Sequence, residues 1–167
     1  FGLRVQAYPK YGSEKKGLPT TYYLTISEEP IRTHCELKYV DFVPLNDVSA
    51  FYTGNPLAGL QEGGMVFIQT AKTDPAEVWA DVPEYAKRII RERRIRVLAL
   101  DAAKIAEEVA SQPDLRVRMQ GIVLLGIFLR ATPFAERAGM SREELMTGVE
   151  RALRKYFGKR GEQVVQD

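Results

Sequence analysis

Gly63-Gly64-Met65-Val66-Phe67-Ile68-Gln69-Thr70 is the stretch that decides the class of fold. The two glycines read as a turn, and Met65 to Ile68 is then apolar at every position. That pattern marks a strand buried on both faces, as in a parallel sheet covered by helices. Towards the C-terminus, helix and strand alternate. Asp74-Pro75-Ala76-Glu77 offers a cap, a first-turn proline and an acidic residue at the positive end of a helix, which Pro83 interrupts. A second helix is expected from Glu84 to Arg94, then a strand over Arg96-Val97-Leu98-Ala99-Leu100, then a helix from Ala102 to Ala110 capped by Asp101. Leu115 to Arg130 is apolar nearly all round its middle and reads as a helix buried against the sheet, with Gly121 and Gly126 allowing close approach. The last helix opens on the capping-box pattern Ser141-x-x-Glu144. It sets Leu145, Val149, Ala152, Leu153 and Tyr156 on one face and stops at Gly158. The alternation predicts an α/β fold.

Towards the N-terminus, Leu3-Arg4-Val5-Gln6-Ala7-Tyr8 and Thr20-Thr21-Tyr22-Tyr23-Leu24-Thr25-Ile26 read as strands, the second ending at the turn Ser27-Glu28-Glu29-Pro30. Tyr39 to Leu45 is a third apolar run, and Asn46-Asp47 can cap a short helix from Ser49 to Tyr52. The sequence begins at Phe1, without Met, and enters a strand almost at once, so a removed or omitted initial segment is expected.

With 167 residues, 45% of them apolar, the chain suits a single globular domain, assigned to residues 1–158. Residues 159–167 form a C-terminal arm, expected at a subunit interface. The 24 basic and 22 acidic residues leave a net charge of +2, too small by itself to argue for nucleic acid or an anionic membrane. The single Cys35 excludes an internal disulfide and cannot supply the four thiolates of an iron–sulfur cluster, so no metal is expected on this chain. No signal-peptide pattern opens the sequence. The longest apolar run, Gly121 to Leu129, is far short of the roughly 20 residues of a membrane helix, and a cytoplasmic location is the default expectation.

The candidate binding loop is Tyr11, Gly12, Ser13, Glu14, Lys15, Lys16 and Gly17. Gly12 and Gly17 can take backbone angles closed to other residues, so free N–H groups, Ser13 and the two lysine ammonium groups can face an anion such as a phosphate. Glu14 sits beside a phosphate only if it is paired with a lysine or arginine or points across an interface. The competing reading is an ordinary polar turn. His34-Cys35 suggests a nucleophile with its base, but neighbours along a strand face opposite ways, and a lone cysteine is expected to be buried, so no catalytic residue is assigned. Arg88, Arg91, Arg93, Arg94 and Arg96 form a basic run that reads first as a solvated helix end, with nucleic acid or an acidic subunit as the alternatives. Trp79 and Tyr85 flank Pro83 and suit either an interface anchor or partial core burial.

Pro9-Lys10-Tyr11-Gly12-Ser13-Glu14-Lys15-Lys16-Gly17 resembles the Pro-x-Tyr-Gly-x-Glu-x-Arg-Gly segment in the gamma subunit, or catalytic domain, of the 2-oxoacid:ferredoxin (or acceptor) oxidoreductases. Lys16 stands where the family has arginine, keeping the charge but not the planar fork. The similarity continues through Ser27-Glu28-Glu29-Pro30-Ile31, the Gly63-Gly64 strand, Leu100-Asp101-Ala102, Leu125-Gly126 and Gly158-Lys159-Arg160-Gly161-Glu162. Two departures are the absence of the family's opening Gly-x-Gly-Gly-x-Gly turn with its first helix, and Gly121 where an asparagine is common. The resemblance implies a Rossmann-like three-layer α/β fold, with a mostly parallel sheet covered by helices and its N-terminal strand and helix missing from the sequence.

It also implies a thiamine diphosphate-dependent enzyme that oxidatively decarboxylates a 2-oxoacid to an acyl-coenzyme A and passes electrons to ferredoxin or another acceptor. Thiamine diphosphate, Mg and [4Fe-4S] clusters would sit on alpha, beta and delta-type subunits, and this chain would bind none of them alone. Its part would be to enclose the active site and receive CoA, with Tyr11 to Gly17 as the CoA-binding or inter-subunit loop. The alternative from another class is a free-standing nucleotide- or phosphopantetheine-binding module that uses the Gly12 loop. A basic RNA-binding adaptor built on Arg91, Arg93 and Arg94 is a third.

Overall fold

The computed structural model describes residues 2–11, 20–32, 34–160 and 164–165. The chain divides into two compact units, Phe1–Leu100 and Asp101–Asp167.

In the first unit, three strands form a parallel sheet in the order β3-β4-β5: β3 is Val40–Leu45, β4 Leu60–Gln69 and β5 Arg96–Leu100. β4 is central, and Met65, Val66, Phe67 and Ile68 are all buried, as the unbroken apolar run requires. Each such side chain contributes about 1.5–3 kcal/mol when removed from water, so this short stretch outweighs any surface ion pair in the unit. Helices α1 (Ala50–Thr53), α2 (Pro75–Asp81) and α3 (Glu84–Glu92) supply Phe51, Val78, Val82, Ala86 and Ile90 to one core with Leu45, Val66 and Ile68.

Their starts follow from the sequence. Asp47 Oδ1 accepts from the Ser49 N–H at 2.8 Å ahead of α1, and Asp74 Oδ1 accepts from the Ala76 N–H at 2.9 Å, with Pro75 opening α2. Pro83 separates α2 from α3 as expected. Two tyrosine hydroxyls then brace the layer. Tyr52 donates to the Asp81 carbonyl at 2.9 Å, and Tyr85 lies 2.6 and 2.8 Å from the carbonyls of Phe51 and Gly54.

Gly63-Gly64 differs from the expectation of a turn leading into the strand. β4 begins at Leu60, and both glycines lie inside it, at an irregularity where Val40 pairs with Leu60 but Phe42 pairs with Met65. Gly63 has a φ of 71°, in the left-handed region. A Cβ on Gly64 would lie 2.8 Å from the Gln61 carbonyl oxygen and 3.1 Å from that of Asp41. The Gly63 N–H donates to the Arg93 carbonyl at 2.8 Å, and Arg93 Nη1 returns a bond to the Leu60 carbonyl at 2.8 Å. The bulge thus ties the end of α3 to the central strand.

β1 (Arg4–Lys10) and β2 (Thr21–Ser27) form a separate antiparallel ribbon, with Arg4 opposite Ser27 and Lys10 opposite Thr21.

The second unit is helical: α4 (Ala102–Val109), α5 (Arg116–Ala131), α6 (Phe134–Arg137) and α7 (Arg142–Phe157). Asp101 caps α4 through the Lys104 N–H at 3.0 Å, and the Ser141/Glu144 capping box on α7 is complete. Ala106, Leu115, Met119 and Val164 make its core, with Phe157 packed against them. Arg160 pairs with Asp114 at 2.8 Å, and Val164 and Val165 are buried. The inward face of α7 runs Leu145, Val149, Leu153, Phe157 at steps of four, which leaves Tyr156 76% exposed rather than on the buried face. Within this unit no close approach is made at Gly121 or Gly126, where an added Cβ would meet nothing.

Candidate functional site

The predicted loop is the connection of the β1–β2 ribbon. Tyr11, directly after β1, is 73% exposed. Gly12, Ser13, Glu14, Lys15, Lys16 and Gly17 lie outside the described residues. The two described strands of the ribbon are cross-braced. Tyr8 and Tyr23 face each other across the strands and stack with centroids 5.2 Å apart. Lys10 Nζ meets Glu36 at 2.6 Å, a contact that raises the lysine's pKa and keeps it charged. The Tyr8 hydroxyl is buried without a hydrogen-bond partner among the described residues, and burial, followed by the neighbouring Tyr23, pushes its pKa up.

His34 and Cys35 depart from the sequence reading in two ways. They lie in irregular chain between β2 and β3 rather than on a strand, and Cys35 is exposed rather than buried. His34 Nδ1 is in hydrogen-bond contact with Gln6 Nε2, which ties the ring to β1.

A parallel sheet commonly presents its ligand site at the carboxyl ends of the strands, where the strand order reverses. Here the order β3-β4-β5 is consecutive, and α1 to α3 share one core, so the three strands contain no such reversal. The residues at that end are engaged locally. Asp47 is held below its ordinary pKa by the Ser49 N–H and then its hydroxyl, Thr70 Oγ1 accepts from the Lys72 N–H, and Lys72 pairs with Asp81 at 2.6 Å. Among the described residues no three His, Cys, Asp or Glu side chains converge as a metal site, and the chain's one cysteine does not fit an iron–sulfur cluster.

Trp79 and Tyr85, left open between core and interface by the sequence, both pack partly against the core of the first unit. Trp79 also carries two cations over its ring, Arg91 at 5.5 Å and Lys87 at 5.7 Å. Beside it a shallow open groove is lined by Glu84, Tyr85, Arg88, Arg91 and Glu92. The basic run Arg88, Arg91, Arg93, Arg94 and Arg96 is exposed throughout, as a solvated helix end requires, and the contact of Arg91 with Trp79 joins two helices and so is not written in helical spacing.

Residues 1–167 match the model of the pyruvate ferredoxin/flavodoxin oxidoreductase family. The chain belongs to that family. It is 32% identical over 122 residues to the pyruvate/ketoisovalerate oxidoreductases common subunit gamma of Thermococcus litoralis, a match covering 73% of this chain and 61% of that relative. It is 26% identical over 161 residues to the pyruvate-flavodoxin oxidoreductase of Trichormus variabilis, where the match covers 96% of this chain and 13% of the much longer relative. The crystal structure of pyruvate oxidoreductase subunit PORC from Thermotoga maritima superposes with a TM-score of 0.58 at 20% identity, covering 99% of this chain and 74% of that one. That likeness shows a shared fold, the Rossmann-like α/β arrangement expected from the sequence. The chain thus spans about three fifths of the length of its gamma-subunit relative.

Among the described residues no helix is long and apolar enough to cross a membrane.

Proposed function

We propose that this chain is the gamma-type component of a cytoplasmic 2-oxoacid oxidoreductase. The complex decarboxylates a 2-oxoacid oxidatively to an acyl-coenzyme A and passes the electrons to ferredoxin or another acceptor. The observation that carries this reading is the family match along the whole chain, together with a relative named as a common gamma subunit. Thiamine diphosphate and Mg are assigned to alpha, beta and delta-type partners, and so are the [4Fe-4S] clusters, which the one cysteine here cannot hold. This chain acts by enclosing the active site rather than by donating a proton or nucleophile. The ribbon loop from Tyr11 to Gly17 is its contact with CoA or with a neighbouring subunit, and the braced Tyr8–Tyr23 ribbon supports a positioning role for it.

The test is anaerobic co-expression with the neighbouring subunits, followed by assay of acceptor reduction with pyruvate and with branched-chain 2-oxoacids in the presence of CoA. The complex is expected to turn over and the chain alone to be inactive. Turnover by the isolated chain, or a colourless monomer that never joins the others, overturns the reading.

A further inference from the structure

The segment from Glu84 to Arg96 concentrates charge that the rest of the chain does not share. It holds Lys87, Arg88, Arg91, Arg93, Arg94 and Arg96 against Glu84 and Glu92, while the whole chain is only +2, so the remaining residues together are net acidic. α3 buries Ala86 and Ile90 and turns its basic side chains outward. Arg88 is exposed, and its guanidinium makes no ion pair with a described residue. Arg91 is pre-positioned between the Trp79 ring and Glu84 Oε1, 3.4 Å away, and Lys87 rests on the same ring. A tyrosine and two arginines line the groove, one of the arginines held against a tryptophan, and these are residue types enriched at protein interfaces.

We propose that the α3 groove is a docking surface for an acidic face of another protein, with Arg88 and Arg91 as its carboxylate-binding groups and Lys87 alongside. Charge complementarity selects this occupant. One feature disfavours a nucleic acid: the Trp79 ring already carries two cations and is not open for a base to stack on. The surface is built from residues outside the Tyr11 to Gly17 segment and goes beyond the subunit reading.

Zero-length carbodiimide cross-linking of the assembled enzyme joins a carboxylate to an amine without a spacer. Peptide mass spectrometry is expected to find Lys87 linked to an Asp or Glu of another subunit, with the yield down about tenfold in Arg88→Glu, a charge reversal across an interface. Lys87 linked only to its own chain, or an unchanged yield in the variant, overturns the proposal. In a second arm, the full chain alone is titrated with poly-L-glutamate and with polyuridylate at equal ionic strength. Salt-sensitive polyglutamate binding that weakens in Arg88→Glu and recovers in Arg88→Lys supports the site, and tighter binding of the RNA overturns it. If no complex assembles, the oxidoreductase reading fails by itself, and this second arm still decides the docking surface.

Discussion

Three glycines in one short stretch of the first unit carry different physical burdens. Gly59 combines a φ of 81° with a site where a Cβ would sit 2.6 Å from the Lys38 carbonyl oxygen. Gly64 has an ordinary φ but is crowded by the Gln61 and Asp41 carbonyls, and Gly63 has a φ of 71° with open space around it. A left-handed alanine costs about 1–2 kcal/mol and overpacking about 1–3 kcal/mol. Chemical denaturation followed through Trp79, the chain's one tryptophan, should therefore rank Gly59→Ala as most damaging, Gly64→Ala next and Gly63→Ala as mildest. A Gly63→Ala variant worse than Gly59→Ala would show that the bulge is not shaped by its backbone. Tyr85→Phe removes the hydroxyl shared by two carbonyls and should cost about 1 kcal/mol in the same assay. The glycine pair was visible in the sequence, but its role was not. A dipeptide reads as a turn, whereas a bulge needs a neighbouring strand, here β3 with Asp41 beside it.

At the scale of elements, the second unit depends on its helix starts. Ser141 caps α7 and accepts from the Glu144 N–H at 3.1 Å, while Glu144 accepts from the Ser141 N–H at 2.8 Å. Ser141→Ala should cost about 1 kcal/mol, read by thermal melting in far-ultraviolet circular dichroism. The Ser141 N–H, then its hydroxyl, holds the Glu144 carboxyl below its ordinary pKa of 4.5. A folded-state pKa below the unfolded one gives stability that is complete above the ordinary value and is lost as pH falls through the folded value. Asp114 beside Arg160 acts in the same direction. Helix content should therefore fall on acidification below about pH 4.5, and Glu144→Gln, which can still complete the box, should flatten that dependence without lowering stability at neutral pH. An acid profile identical to the parent's would remove Glu144 from the account. Caps, first-turn prolines and breaks were legible because each is set by a handful of consecutive residues. The face of α7 was read rightly at Leu145, Val149 and Leu153 but not at Ala152 and Tyr156, which are exposed, because the choice between Tyr156 and Phe157 depends on which side Ala106, Leu115 and Met119 occupy.

At the scale of the whole molecule, the ribbon leaves apolar surface uncovered. Val5, Ala7 and Pro9 lie opposite Ile26, Leu24 and Tyr22 and share one face, on which Val5 is 62%, Tyr22 66% and Leu24 49% exposed. A continuous apolar face of this kind promotes association. The chain expressed alone is expected to bind a hydrophobic dye and to self-associate, and Leu24→Lys should reduce both in dye fluorescence and light scattering; an unchanged variant would place the association elsewhere. The sequence by itself determined the α/β class, the central buried strand, the order of the elements and the family, because periodicity, capping and motif order are written in neighbouring residues. Tertiary structure alone decided that β1 and β2 stand apart from the parallel sheet, that Gly63-Gly64 is a bulge, that Cys35 is exposed, and that Arg91 and Lys87 gather on Trp79. Each of these turns on which strands pair and which helix faces meet, and such contacts join residues too far apart along the chain for a local pattern to reveal.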